Sequence, residues 1–308
     1  MIKVNGLSRY YGDFAAIKDL SFEIKNNQVV GFLGLNGAGK STTLKILAGL
    51  LSPSGGSVQI HEKDLLTAPA SFRKNIGYLP EDAPLYKDMT VSDFLTYLAK
   101  IRGYGVPPDN VQDRMKFVLD VCQLKGMEHR IIDELSLGYK KRVGIAQAIF
   151  HRPRLVILDE PISGLDPKQI VEMRQVIRKL TKDAIVLLSS HNLNEIAETC
   201  DQLMVLHQGE LVAQGPTEQL LNKSAQTTFN VEATLISNEQ NLEEVLNIPN
   251  LVLSCKLSNN GETTTAKLSL SSPPENLVAH LVQKGVGVRS ITTSIGELEQ
   301  LFLSLTQK

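Results

Sequence analysis

The chain has 308 residues, of which 42% are hydrophobic and 21% are charged, and its formal net charge at pH 7 is −1. This length and balance predict a globular protein with two domains. A net charge near zero gives no overall attraction to nucleic acid or to an anionic membrane surface, so we expect no nucleic-acid partner and no direct binding to lipid. The apolar runs have the length of strands and are too short for a transmembrane helix, which needs about 18 apolar residues. Without a signal-peptide pattern, and with three scattered cysteines, a soluble cytoplasmic protein is expected.

A glycine-rich loop is the strongest motif in the N-terminal part of the chain. Short strands are predicted up to "VVGFLG", and a helix is predicted over "STTLKILAGLL", where leucines recur at helical spacing. Between them, residues 34–42 read "GLNGAGKST" and satisfy the pattern G-x-x-x-x-G-K-[ST]. Glycine backbone can curl around an anion without a side chain in the way, and the helix N-terminus adds its dipole. We therefore predict a loop that binds the phosphates of a nucleotide.

Individual residues of this loop have distinct expected roles. The ammonium group of Lys40 should reach the β- and γ-phosphates, and the Ser41 hydroxyl should bind Mg²⁺. Tyr10 and Tyr11 precede the loop, and one of them can stack on a base, although packing in the core is the competing interpretation. The predicted nucleotide-binding residues of the loop are Asn36, Gly37, Ala38, Gly39, Lys40, Ser41 and Thr42.

Residues from about 85 to 150 are predicted to form a helical segment. The first of three amphipathic stretches opens with Thr90 and Asp93 in positions typical of a capping box. The third begins at Ser136, which can cap a helix, and is then unusual in its charge. Three basic residues lie near the start of this helix, where positive charge opposes the helix dipole. These residues are Lys140, Lys141 and Arg142.

Two acidic residues end the next predicted strand, "RLVILDE". Asp159 lies at the carboxyl end of that strand, where α/β sheets bind ligands, and is expected to hold Mg²⁺. Glu160 could polarise a water for in-line attack. Alone, such a pair could equally cap the next helix or pair with a lysine, but the phosphate loop favours the catalytic interpretation. His191 ends the strand "AIVLLSSH" and is expected at the same edge, beside the γ-phosphate.

The order of predicted elements indicates the fold class. Strands alternate with helices after residue 150, which indicates an α/β fold with a mostly parallel sheet covered by helices on both faces. The pattern weakens over residues 220–229, so we predict a nucleotide-binding domain over residues 1–222 and an accessory α+β domain over residues 226–308. The second domain reads β-α-β-β-α-β, the order of a small ferredoxin-like module, followed by a last helix over "GELEQLFLSL".

These motifs, in this order, resemble the nucleotide-binding subunit of ATP-binding-cassette (ABC) transporters over roughly residues 1–220. The resemblance implies a P-loop nucleotidase fold with an antiparallel β subdomain and a helical subdomain, and it implies ATP and Mg²⁺ as ligands. It makes Tyr11 the adenine platform, Glu160 the catalytic base and His191 the switch histidine. It also places Asp166, at the end of "SGLD", in the ATP site. The family usually has glutamine where this chain has Glu81, which could still ligate Mg²⁺.

The stretch "LSLGYKKR", residues 135–142, lies where the family has its signature sequence; we call it the signature segment. The resemblance implies that Ser136 and Gly138 face the γ-phosphate bound by another subunit, and that the three cations lie in the field of that anion. Leu137 and Tyr139 depart from the usual signature. In these departures the signature segment resembles that of the ATP-binding subunits of a bacterial group of gliding-motility, sodium-export and multidrug exporters.

The resemblance also implies partners and location. Two cassettes would form a head-to-tail homodimer that closes over ATP and opens after hydrolysis. An integral membrane permease would be a separate subunit, contacted through "EDAPLYKDMTV", residues 81–91. The protein would then lie at the cytoplasmic face of the inner (plasma) membrane, held peripherally and only through the permease.

Two other functions remain open from the sequence. A soluble cassette ATPase could act on nucleic acid, ribosomes or cofactor assembly, although long heptad coiled coils and a second cassette are absent from this sequence. A plain P-loop kinase is the other alternative, which the signature segment and His191 disfavour. For the C-terminal domain we expect a role in packing or dimer stability rather than in ligand sensing.

Overall fold

The computed structural model describes residues 1–25, 28–102, 111–220, 229–236, 242–259 and 263–293. The chain divides into two compact units, Met1–Thr217 and Glu218–Lys308. The boundary predicted between residues 222 and 226 lies outside the described residues. In the part of the chain that is described, no helix combines the length and the apolar character needed to span a membrane.

The first unit contains ten strands and seven helices among its described residues. In chain order they are β1 (Ile2–Tyr11), β2 (Phe14–Ile24), β3 (Val29–Leu33), α1 (Lys40–Leu47), β4 (Gly55–Ile60), β5 (Lys63–Asp64), α2 (Pro69–Arg73), β6 (Ile76–Leu79), α3 (Val91–Arg102), α4 (Val111–Val121), α5 (Leu137–Ile149), β7 (Leu155–Leu158), α6 (Pro167–Leu180), β8 (Ile185–Ser190), α7 (Leu193–Thr199), β9 (Gln202–His207) and β10 (Glu210–Pro216). A 3₁₀ turn, Ile132–Glu134, precedes α5.

A six-stranded sheet forms the centre of this unit, in the order β10-β9-β3-β8-β7-β6. The strands from β9 to β6 pair in parallel, and β10 is antiparallel to β9 at the edge. Every residue of β3, β7 and β8 is buried, as expected for parallel strands covered on both faces. The mostly parallel core sheet predicted from the sequence is confirmed. Register places Leu33 beside Ser190 and Leu158 beside Leu188, so β3, β7 and β8 end at one edge.

A four-stranded antiparallel sheet, in the order β2-β1-β4-β5, lies in the same unit. One continuous apolar core joins it to the central sheet. Within that core the rings of Phe22 on β2 and Phe32 on β3 meet edge to face at 5.7 Å. The antiparallel β subdomain is therefore anchored to the strand that leads into the phosphate loop.

Thr90 and Asp93, in the positions typical of a capping box, bond to each other at the start of α3. The Thr90 hydroxyl donates to Asp93 Oδ2 at 2.7 Å, and the Asp93 backbone N–H donates to Thr90 Oγ1 at 3.2 Å. Arg114 of α4 is buried and donates hydrogen bonds to the carbonyls of Ile149 and Phe150. These carbonyls end α5 and have no partner within the helix, so the arginine both caps α5 and ties it to α4.

The second unit is an α+β module with its own core. Its described elements are β11 (Phe229–Ile236), α8 (Leu242–Leu246), β12 (Val252–Asn259), β13 (Thr264–Leu270), α9 (Pro274–Gln283) and β14 (Gly287–Thr293). They follow the predicted β-α-β-β-α-β order and form an antiparallel sheet, β12-β13-β11-β14. The further helix predicted over "GELEQLFLSL" lies outside the described residues.

Two glycines bring α5 directly against β6. A Cβ on Gly77 of β6 would lie 2.1 Å from the carbonyl oxygen of Ala148 in α5. A Cβ on Gly144 of α5 would lie 2.5 Å from Cδ1 of Leu79. The helix backbone therefore approaches the sheet more closely than any side chain would permit.

Gly77→Ala should destabilise the first unit by about 1–3 kcal/mol, because the new methyl group overlaps the backbone of α5. The melting temperature should fall by several degrees, as measured by calorimetry. Gly55→Ala is the matched control, since a Cβ there meets nothing within 4 Å. Equal melting temperatures of the two variants would contradict the close approach of α5 to β6.

Candidate functional site

The phosphate loop leaves β3 through backbone conformations that require glycine. Gly39, the N-cap of α1, has φ 101°, and a Cβ there would lie 2.7 Å from the carbonyl oxygen of Ala16. A Cβ on Gly34 would lie 2.6 Å from the carbonyl oxygen of Leu206. Gly37 has φ 83° and open space around it. The loop is thus packed against its own chain on one side and free of side-chain bulk on the other, as an anion cradle requires.

Lys40 begins α1 and is only 7% exposed. Its ammonium group donates to the carbonyl oxygens of Gly34 at 2.6 Å and Leu35 at 3.2 Å. Burial lowers the pKa of Lys40, and nearby carboxylates oppose that shift by stabilising the charged form. In decreasing order of effect, these carboxylates are Glu160, Asp159 and Glu81. The predicted metal ligands and catalytic base therefore share one electrostatic environment with the lysine.

The other residues of the phosphate loop differ in their exposure to solvent. Ser41 is exposed and Thr42 is half-buried in the first turn of α1, while Asn36 is exposed in the loop and Ala38 is buried. Ser41 can therefore present its hydroxyl to a ligand on the open side of the loop, as predicted for an Mg²⁺ ligand.

A buried serine joins the two acidic residues that follow β7. The Ser189 hydroxyl on β8 donates to Asp159 Oδ1 at 2.5 Å and accepts from the Glu160 backbone N–H at 3.0 Å. The Asp159 backbone N–H donates to the carbonyl of Leu79 on β6 at 2.9 Å. Three neighbouring strands thus fix the orientation of the acidic pair, and both carboxylates are more than nine-tenths buried.

Glu160 and His191 are in direct contact. Nδ1 of His191 lies 3.0 Å from Oε1 of Glu160. Oε2 of Glu160 is buried and has no hydrogen-bond partner in the described part of the chain. A buried carboxylate oxygen without a partner is costly, so this atom is suited to accept a hydrogen bond from a water or ligand. His191 is 57% exposed, so its ring can also contact a ligand beyond the carboxylate.

Glu81 and Tyr11 lie at the periphery of this environment. Glu81 is exposed, two residues after the end of β6. Tyr11 ends β1 and is 48% exposed, with the guanidinium carbon of Arg9 4.8 Å from the centre of its ring. The arginine covers one face of the ring, which leaves the opposite face for a base.

The signature segment begins α5 next to the start of α6. Ser136 caps α5, accepting from the Tyr139 backbone N–H at 3.4 Å, and Asp166 caps α6, accepting from the Gln169 backbone N–H at 2.9 Å. A Cβ on Gly138 would lie 2.9 Å from Oε1 of that same Gln169. The predicted residues Ser136, Gly138 and Asp166 are therefore brought together by two adjacent helix starts.

The three cations of the signature segment have partners within their own chain, and these contacts do not test the expectation that the cations lie in the field of a phosphate bound by another subunit. Lys140 forms a salt bridge with Asp133 at 3.3 Å. Buried Arg142 pairs with Glu172 of α6 and lies over the ring of Tyr139. Lys141 is buried and donates to backbone carbonyls. These contacts stabilise the three positive charges at a helix start, where the helix dipole alone would disfavour them. The charge pattern of the sequence does not reveal the partners.

The sequence did not predict Ser189 as a site residue, and it did not predict the partners of Lys141. Ser189 is one of two serines in the otherwise apolar "IVLLSS" of β8, and polar residues at the end of a buried strand are a usable signal. The partners of Lys141 left no local signal, because they are carbonyls about 20 residues away.

The described residues fit a nucleoside triphosphate with a divalent cation. The glycine cradle, a buried lysine and two buried carboxylates meet at one sheet edge. The unpartnered Oε2 of Glu160 adds an acceptor at the same place. Chemically, such a site can bind phosphates, neutralise their charge and orient a water for attack.

Comparison with known proteins gives consistent matches. The family model described as "ABC transporter" matches residues 17–163. The ABC transporter ATP-binding protein YxlF of Bacillus subtilis is 32% identical over 305 residues, and the match covers 99% of each chain. The bacitracin transport ATP-binding protein BcrA of Bacillus licheniformis is 35% identical over 73% of this chain and 72% of its own. A solved dimeric bacterial ABC transporter cassette is 25% identical, with a TM-score of 0.62 over 70% of this chain and 99% of its own.

Lys40→Ala should weaken ATP binding at least about tenfold, because it removes the charged donor to the phosphates. The measurement is titration with a fluorescent ATP analogue. Lys45→Ala, an exposed lysine of the same helix, should bind as the wild type does. If the two variants bound the analogue equally well, the assigned role of Lys40 would be wrong.

Proposed function

Because the chain belongs to the ATP-binding subunits of ABC transporters, which hydrolyse ATP to power transport, we propose that it works as a homodimer bound to a separate membrane permease. We further propose Mg²⁺ as its cofactor and export as its direction. The observation that carries the catalytic part of this proposal is the environment of Glu160. Its carboxylate is oriented by Ser189 through the backbone, contacts His191, and keeps one buried oxygen without a partner among the described residues.

Phosphate binding is assigned to the loop and to Lys40. The Lys40 ammonium already bonds two loop carbonyls, so it is held at the loop before it meets a phosphate. Mg²⁺, when bound, would neutralise phosphate charge during the reaction. Ser41 and Asp159 would hold it, and Glu81 is the third candidate ligand because its charge acts on Lys40. Tyr11 would offer the open face of its ring to the adenine.

Hydrolysis is assigned to Glu160 with His191 beside it. Glu160 Oε2 would accept a hydrogen bond from the attacking water and take its proton as the water oxygen bonds to the γ-phosphorus and the bond from that phosphorus to the ADP oxygen breaks. His191 contacts the other oxygen, Oε1, at 3.0 Å. That contact would hold the carboxylate in one rotamer and leave the other oxygen, Oε2, available for the water.

A composite site with a second copy explains the exposed start of α5. Ser136 and the neighbouring Leu137 are exposed, and the signature segment lies beside the Asp166 cap rather than on the phosphate loop. A solved relative of this cassette is dimeric. We place Ser136 and Gly138 against the γ-phosphate bound by the partner subunit, with Asp166 at the same interface, so ATP would join the two chains.

The permease contact is assigned to residues 81–91 and the first turn of α3. Tyr86 is 52% exposed, and its ring meets those of Phe94 at 5.8 Å and Tyr97 at 5.5 Å, both edge to face. A partly exposed aromatic cluster of this kind is typical of a protein-binding surface. Contact with a permease would hold the protein at the cytoplasmic face of the inner membrane. The bacitracin transport relative supports a role in transport, and its cargo is not carried over to this chain. Export is proposed from the resemblance of the signature segment to that of bacterial exporters.

Glu160→Gln should retain ATP binding while its turnover falls at least about 100-fold, because the amide cannot take a proton from water. Steady-state phosphate release measures the turnover. In the presence of ATP and Mg²⁺ the variant should elute as a closed dimer in size-exclusion chromatography. Turnover at the wild-type rate would show that Glu160 is not the base.

Purification from native membranes in a mild detergent should recover a membrane-spanning protein with this chain. Tyr86→Ala should reduce that recovery several-fold, because it removes the centre of the aromatic cluster. Phe117→Ala is the control, since Phe117 is an exposed aromatic residue on α4 that contacts Arg114. Recovery of ribosomes, nucleic acid or only soluble proteins would instead support a cassette ATPase without a transport role.

A further inference from the structure

Lys141 joins the signature helix to the catalytic loop of its own chain. It lies one turn into α5, and its side chain is 7% exposed. Its ammonium group donates to the backbone carbonyl of Glu160 at 2.7 Å and to that of Ser163 at 2.7 Å. A buried lysine requires such partners, since an unpaired charge in the interior is strongly unfavourable.

The two carbonyls belong to a turn with two residues in left-handed backbone conformations. Glu160 has φ 49°, in the left-handed region that non-glycine residues rarely adopt. Gly164, beside Ser163, has φ 76°. The ammonium group bridges the residues on either side of this turn, so it stabilises the conformation that aims the Glu160 side chain.

The start of α5 touches the same turn through a second residue. Cδ2 of Leu137 lies 3.2 Å from the position that a Cβ on Gly164 would occupy. Further along, α5 is held against the central sheet by Gly144 and against α6 by the pair Arg142–Glu172. A displacement of the signature segment would therefore be transmitted to residues 160–164 through Lys141 and Leu137.

We propose that Lys141 is a positioning residue that couples the two ATP sites of the dimer. The signature segment of one chain contacts the γ-phosphate held by its partner. Lys141 links that segment to the backbone of Glu160 in the same chain, so a shift of the segment changes the position of the Glu160 that acts on the chain's own ATP. This inference rests on the homodimer described under the proposed function. It assigns to Lys141 an effect on catalysis and on cooperativity, but not on nucleotide binding by the phosphate loop.

The test compares Lys141→Met with Lys141→Arg in the full-length protein. Methionine matches the length and apolar stem of lysine without its donors, whereas arginine keeps donors that can reach both carbonyls. Lys125→Met is the control for the loss of a lysine outside the site, because Lys125 is exposed and pairs with Asp120 of α4. Five quantities are measured for each protein: kcat, KM for ATP, the Hill coefficient of hydrolysis, the affinity for a fluorescent ATP analogue and the melting temperature.

Lys141→Met should lower kcat at least tenfold and bring the Hill coefficient to 1, with KM and analogue affinity within about threefold of the wild type. Lys141→Arg should recover a substantial part of kcat and of the cooperativity. A wild-type kcat for Lys141→Met would overturn the proposal, as would a folded Lys141→Arg no more active than Lys141→Met. Loss of analogue affinity together with kcat and melting temperature would show a purely structural role and would also overturn it. If the wild-type protein neither hydrolysed ATP nor dimerised, the proposed function would fail instead.

Discussion

The parallel register of three adjacent strands is the constraint on which the site depends. Leu33 at the end of β3 pairs with Ser190 at the end of β8, and β7 pairs with β8 on the other side. Because parallel strands run in the same direction, the loops that follow them meet at one edge of the sheet. The phosphate loop, the acidic pair and His191 come from three distant parts of the chain and are neighbours for this reason alone.

Buried charge then determines how these loops can be arranged. Two lysines and two carboxylates are more than nine-tenths buried around this edge. Each lysine is held by two backbone carbonyls, Lys40 by those of the phosphate loop and Lys141 by those of residues 160 and 163. Ser189 performs the equivalent function for the acids, bonding the Asp159 carboxylate and the Glu160 backbone.

The backbone carbonyls that hold the two lysines stabilise charge without adding a flexible side chain. The same contacts that make burial tolerable also fix the directions of the functional groups.

The sequence predicted the parts of this structure that local patterns encode. Such patterns are the apolar runs of β3, β7 and β8, the glycine spacing of residues 34–39 and the capping pair at Thr90.

The contacts of Lys140, Lys141 and Arg142 could not be predicted from local sequence, because their partners come from the preceding 3₁₀ turn, the turn after β7 and α6. The contacts within the chain account for the burial of Lys141 and Arg142, and the field of a partner's phosphate stays a prediction. Ser189 escaped prediction for a related reason, since its role depends on the pairing of β7 with β8. Roles of the individual site residues, and the limits of the two domains, stay predictions.

The central claim is that the signature segment of one chain meets the phosphate bound by another. It can be tested by mixing the Glu160→Gln chain with an isotopically heavy Lys40→Ala chain and adding an ATP analogue that carries a photoreactive group on its γ-phosphate. The heavy chain binds the analogue at least about tenfold more weakly on its own phosphate loop, so at low analogue concentration label near its Ser136 must come from nucleotide on the partner. Mass spectrometry should find the label on the heavy peptide that contains residues 135–142. Label confined to peptides of the Glu160→Gln chain would contradict the composite site.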